Sequence, residues 1–85
     1  MKTITYVITD PLGIHARPAG LLVKAAAPFE SKLTLSTAQK SADLKRIIAV
    51  MSLGAKQGDT LVISAEGADE EAALEAIGTF LKENL

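Results

Sequence analysis

The sequence predicts an α+β protein of two layers, strands on one side and helices on the other. Two stretches, Lys2–Thr9 and Thr60–Glu66, alternate with a period of two and are rich in β-branched residues, as half-buried strands are. A segment after Asp69 instead repeats its apolar residues at helical spacing. Between them an alanine- and leucine-rich run follows the only histidine. Together these give the order β-α-β-β-α-β-α. With 85 residues there is too little chain for two independent cores, so residues 1–85 are read as one domain.

In the first strand, Ile4, Tyr6 and Ile8 share one face and Thr3, Thr5 and Val7 the other. Asp10-Pro11-Leu12-Gly13 ends it, because proline and glycine interrupt strand pairing. Ala16–Ala27 is predicted helical and is stopped by Pro28; Pro18 falls in the first turn, where a missing N–H does no harm. Lys32–Ser36 and Ser41–Asp43 are expected to form a hairpin, although its turn at Thr37–Lys40 lacks the usual glycine or asparagine. A short helix is expected over Arg46–Leu53, ended by Gly54, followed by a turn at Lys56–Asp59. Leu61, Ile63 and Ala65 form the inner face of the last strand. Asp69 is expected to cap the final helix, with Glu70 and Glu71 in its first turn and Lys82 near its end, both suited to the helix dipole. Ala73, Leu74, Ile77 and Leu81 make its buried stripe.

Composition removes several function classes. Without cysteine there is no thiol catalysis, zinc–thiolate site or iron–sulfur cluster, and one histidine makes a poor transition-metal site; no metal or cofactor is expected. A net charge of -1 and three aromatic residues argue against nucleic acid as a partner. The longest nearly apolar stretches, Ala19–Val23 and Ile47–Met51, are too short to cross a bilayer, and the N-terminus lacks a signal-like run. A cytoplasmic protein without membrane insertion is expected.

Chemistry concentrates in Gly13-Ile14-His15-Ala16-Arg17-Pro18-Ala19. His15 sits on a glycine-containing loop just before a helix, whose first N–H groups and positive dipole end suit an anion. With no N–H on Pro18, Ala16 and Arg17 are the backbone donors, and the Arg17 guanidinium can grip phosphate through two N–H groups. A neutral imidazole is a competent nucleophile near pH 7. A lone histidine is more often a surface or capping residue, and residue chemistry by itself leaves that reading open. A hydrolytic triad is not supported: there is no second histidine and no Gly-x-Ser-x-Gly elbow.

Gly-Ile-His-Ala-Arg-Pro-Ala, followed by KRIIAVMSLGAKQG at Lys45–Gly58 and ISAEGAD at Ile63–Asp69, closely resembles the HPr family along the full length. These are the histidine-containing phosphocarriers of the bacterial phosphoenolpyruvate:sugar phosphotransferase system. The resemblance implies an open-faced β-sandwich, a four-stranded antiparallel sheet covered on one face by three helices. It implies that His15 takes phosphate at Nδ1 from phospho-enzyme I and passes it to enzyme IIA domains, with Arg17 assisting. The protein would then be a covalent carrier and not a stand-alone enzyme, acting as a monomer.

Ile47, Ile48, Met51 and Ser52 cover one arc of the short helix, with Val50 and Leu53 opposite. Both arcs cannot easily face one small core, so either the helix is wholly buried or the first arc docks partners. The resemblance favours docking, with Arg17, Gly20, Lys24 and Arg46 as a polar rim. Lys45 is a further cation that could join Arg17, Lys24 and Arg46 on one face. One departure stands out: many family members carry a regulatory, kinase-phosphorylated serine where this chain has Arg46. A regulatory adaptor of the same fold is the competing reading. Such adaptors can lack the histidine, so its presence favours the carrier.

Overall fold

The computed structural model describes residues 1–85. Its elements are β1 (Lys2–Val7), α1 (Ala16–Ala26), β2 (Lys32–Ser36), β3 (Ser41–Asp43), α2 (Ile47–Ser52), β4 (Thr60–Glu66) and α3 (Glu70–Asn84). The strands form one antiparallel sheet in the order β1-β4-β2-β3. The chain's last strand therefore lies inside the sheet, between its first and second.

Register follows from the alternation in the sequence. Ile4 pairs with Ile63, Ile63 with Leu35 and Leu35 with Ala42, an apolar row turned toward the helices. The next row, Thr5, Val62, Ser36 and Ser41, lies on the uncovered face. A shift of one residue would exchange the two rows, so burial of the first fixes the register. Leu22 and Ala26 of α1, Val50 of α2, and Ala73, Ile77 and Leu81 of α3 close over the inner row.

β1 ends at Val7, two residues before the predicted Thr9, because its successors find other partners. Ile8 donates to the Asp59 carbonyl (3.0 Å) and accepts from Gly58 N–H (2.9 Å). Thr9 and Asp10 donate to the Leu85 carbonyl oxygen at 2.6 and 2.8 Å. The β2–β3 turn does without glycine because Thr37 Oγ1 accepts from Gln39 N–H (3.3 Å) and Lys40 N–H (3.2 Å), closing the loop from a side chain.

The expected cap of α3 is corrected. Asp69 occupies the N-cap position but makes no side-chain capping bond. Its carboxylate instead accepts from Glu30 N–H (2.8 Å), Ser31 N–H (2.9 Å) and the Ser31 hydroxyl, tying α3 to the entry of β2. The Ser31 hydroxyl first, then Glu30 N–H, hold the Asp69 carboxyl below its ordinary value against the opposing effect of desolvation. Gly67, at φ +153°, permits this closure: a Cβ there would lie 2.7 Å from Ser31 Oγ.

Candidate functional site

His15 is the N-cap of α1, in extended conformation (φ -116°, ψ -175°), and its imidazole makes no capping hydrogen bond. The loop that delivers it is fastened at three points. Leu12 N–H donates to Asp10 Oδ1 (2.8 Å), Gly13 N–H to the Asp10 carbonyl (3.0 Å), and Ile14 N–H to the Ala55 carbonyl (3.1 Å). Gly13 has φ +64°, and a Cβ on it would fall 2.4 Å from Ala55 O and 2.8 Å from Lys56 Cα. No side chain fits, so the loop lies directly on the backbone after α2.

Downstream, the first helical bond runs from Ala19 N–H to the His15 carbonyl (3.0 Å). Ala16 and Arg17 N–H precede it and have no acceptor, as at any helix start. Arg17 is exposed and takes part in none of the three ion pairs. His15, Arg17, Asp10, Pro18, Leu21 and Asn84 line one shallow cavity of about 270 Å³. The cavity thus combines a half-exposed imidazole, an exposed guanidinium and the positive end of a helix, which suits an anion carried at the surface.

The two arcs of α2 separate in the structure. Ile48 is 74 % exposed, Ile47 40 % and Met51 39 %, whereas Val50 is fully buried and Leu53 nearly so. Gly20 of α1 lies beside Ile47, whose Cδ1 would be 3.4 Å from an added Cβ. Leu21, 45 % exposed, extends the apolar surface and reaches the His15 cavity. Its place one turn after Arg17 on α1 was the signal for this. Asn84 left no such signal, since only the folded chain brings the end of α3 to the start of α1.

The cations are distributed less simply than their number suggests. Lys24 is exposed on the last turn of α1. Lys45 does not contribute a free charge to a rim: its ammonium donates to the Phe29 carbonyl (2.5 Å). Arg46 is the N-cap of α2, without a side-chain capping bond, and its Nε lies 3.9 Å from Asp43 Oδ2. Ser52 donates its hydroxyl back to the Ile48 carbonyl (2.7 Å). No cluster of three or more metal-ligating side chains occurs, and no helix is long and apolar enough to cross a membrane.

Comparison with known proteins gives the family and the fold. The family described as "PTS HPr component phosphorylation site" matches residues 2–83. The phosphocarrier protein HPr of Lysinibacillus sphaericus is 49 % identical over 83 residues, covering 98 % of this chain and 94 % of that one. A mycoplasma histidine-containing phosphocarrier superposes with a TM-score of 0.94 at 36 % identity, covering 96 % of this chain and 93 % of that one. The Bacillus subtilis catabolite-repression protein Crh, solved as a dimer with a swapping domain, reaches 0.78 at 32 % identity, with 94 % and 92 % covered.

Proposed function

The chain belongs to the HPr family of phosphocarriers of the phosphotransferase system, and from that premise we propose that His15 accepts a phosphoryl group from phospho-enzyme I and hands it to enzyme IIA domains for sugar uptake. The observation that carries this reading is the placement of the only histidine at the N-cap of α1, in one cavity with Arg17.

In the transfer, the lone pair of His15 Nδ1 forms a bond to phosphorus as the bond from phosphorus to the donor's imidazole nitrogen breaks, its electron pair returning to that nitrogen. The phosphoryl oxygens meet the N–H groups of Ala16 and Arg17 and the Arg17 guanidinium. These donors stabilise without enclosing, so onward transfer stays downhill enough to proceed. Gly20, Lys24, Ile47, Ile48, Met51 and Ser52 form the docking face, with methionine adapting to several partners. Residues 1–85 act as a single cytoplasmic domain and as a monomer.

Arg46 has no hydroxyl to esterify, so the serine-based control found in many relatives is absent at this position. The histidine role is kept. Crh-like regulation by docking alone is the second reading, motivated by the likeness to Crh; an intact His15 beside Arg17 favours the carrier.

The test is incubation with phosphoenolpyruvate and enzyme I of the same cell. Acid-labile phosphate should form on His15 and none on a His15→Ala variant. An unmodified wild type beside active enzyme I would end the proposal.

A further inference from the structure

The cavity that holds His15 and Arg17 also holds a carboxylate. Asp10 is half-buried and held by three hydrogen bonds. Its N–H donates to the Leu85 carbonyl oxygen (2.8 Å), its carbonyl accepts from Gly13 N–H (3.0 Å), and its Oδ1 accepts from Leu12 N–H (2.8 Å). Oδ2 has no partner in the chain. Arg17, the one permanent cation lining the cavity, does not pair with it within 4 Å. The other polar group at the rim is Asn84, which is neutral and whose amide donates to the Phe80 carbonyl (3.0 Å). A turn needs only an acceptor at position 10. Asparagine or serine would serve equally, and neither would set a negative charge beside an anion site.

The geometry points to Asp10 as the residue that tunes the transfer potential of the phosphohistidine. This deepens the carrier reading and rests on it. In the free protein the carboxylate shares the cavity with the His15 imidazole and the exposed Arg17 guanidinium. Once the phosphoryl group is bound, the same fixed carboxylate faces a dianion across one small cavity. It cannot turn away without breaking the Leu12 turn. The repulsion acts on the phosphorylated form alone, so it weakens the hold of His15 on phosphate and drives the group to the next acceptor. Arg17 and the helix start attract, Asp10 opposes, and the balance sets how readily the group leaves.

Asp10→Asn is the decisive variant, because its side-chain oxygen still accepts from Leu12 N–H. The equilibrium of phosphoryl exchange with enzyme I is measured by the fraction of each protein phosphorylated at known donor ratio, at low and at 1 M salt. The expected result is a shift toward the phosphorylated carrier by about threefold to tenfold at low salt, the size for a unit charge and a dianion sharing such a cavity in a solvent-like dielectric. The gap should narrow at 1 M salt, where the screening length falls to roughly 3 Å. Asp10→Ser, neutral and also turn-forming, should shift the same way, and a melting curve establishes that each variant is folded. A folded Asn or Ser variant with an unshifted equilibrium, an opposite shift, or a shift unmoved by salt overturns the inference alone. A wild type that takes no phosphate overturns the carrier reading, and this inference with it.

Discussion

Replacing Gly13 by alanine isolates the contact that seats the histidine loop. Two penalties combine in this variant. The left-handed backbone at φ +64° costs a β-carbon roughly 1–2 kcal/mol. The new methyl group would also stand 2.4 Å from the Ala55 carbonyl oxygen and 2.8 Å from Lys56 Cα. Both are backbone atoms, so no rotamer change relieves the clash and the loop must lift. Lifting breaks the bond from Ile14 N–H to the same carbonyl, a further loss of about 1 kcal/mol. The expected total is about 2–3 kcal/mol, or a melting temperature lower by roughly 10–20 °C for a domain of this size. Gly54 supplies the control. It has the same φ of +64° with nothing within 4 Å of an added Cβ, so Gly54→Ala should lose only about 1–2 kcal/mol. The entropy that alanine removes from the unfolded chain is common to both and cancels. Urea and thermal melts followed by circular dichroism measure the difference, and the phosphorylation rate of His15 should fall in the Gly13 variant only. If the two variants are equally stable and equally phosphorylated, close packing against Ala55 is not what positions the histidine.

Charge placed on α2 should separate docking from folding. Ile48→Glu is expected to weaken enzyme I binding at least tenfold in titration calorimetry with an unchanged melting temperature, because Ile48 is largely exposed. Val50→Ala, on the opposite arc of α2, should instead lower stability by about 2 kcal/mol in a urea melt, since Val50 is fully buried. The Asp69 staple predicts an acid dependence. Its folded carboxyl titrates below the usual 3.8, so its contribution is present above that pH and disappears as pH falls through the lower folded value. Melting temperatures of wild type and Asp69→Ala should therefore differ at pH 7 and converge toward pH 2; a constant gap would show that the hydrogen bonds of the ionised form are not its source. Incubation with the cognate HPr kinase should leave every serine unmodified, and phosphate on Ser52 or any other serine, read by mass spectrometry, would restore a serine switch to this protein.

Much of the fold could be read from local pattern because the deciding physics is local. The faces of β4 and the stripe of α3 follow from periods of two and 3.6, and both were legible. Strand order was not, because it depends on pairings such as Lys2 with Ala65 that leave no trace in nearby residues. The family resemblance, not the pattern, supplied the antiparallel open sheet. Asp69 shows the same limit at one side chain. A cap residue before a helix was the natural local reading, yet its carboxylate satisfies N–H groups at Glu30 and Ser31, far away in sequence. At the site, the helix start and Arg17 were visible in the motif. Asp10 read only as a turn residue, which it is, and its second position, lining one cavity with His15, shows only in the folded chain.

The interior position of β4 also has a temporal consequence. During synthesis β1, β2 and β3 leave the ribosome first, but β1 has no partner in the sheet until Thr60–Glu66 follows. The hairpin of β2 and β3 can form early, whereas the loop carrying His15 stays unfastened until Ala55 and the end of α3 arrive. A nascent chain therefore lacks the fastened loop on which the proposed transfer depends. The seat of His15 is assembled only once the segment from Ala55 through α3 has emerged and folded.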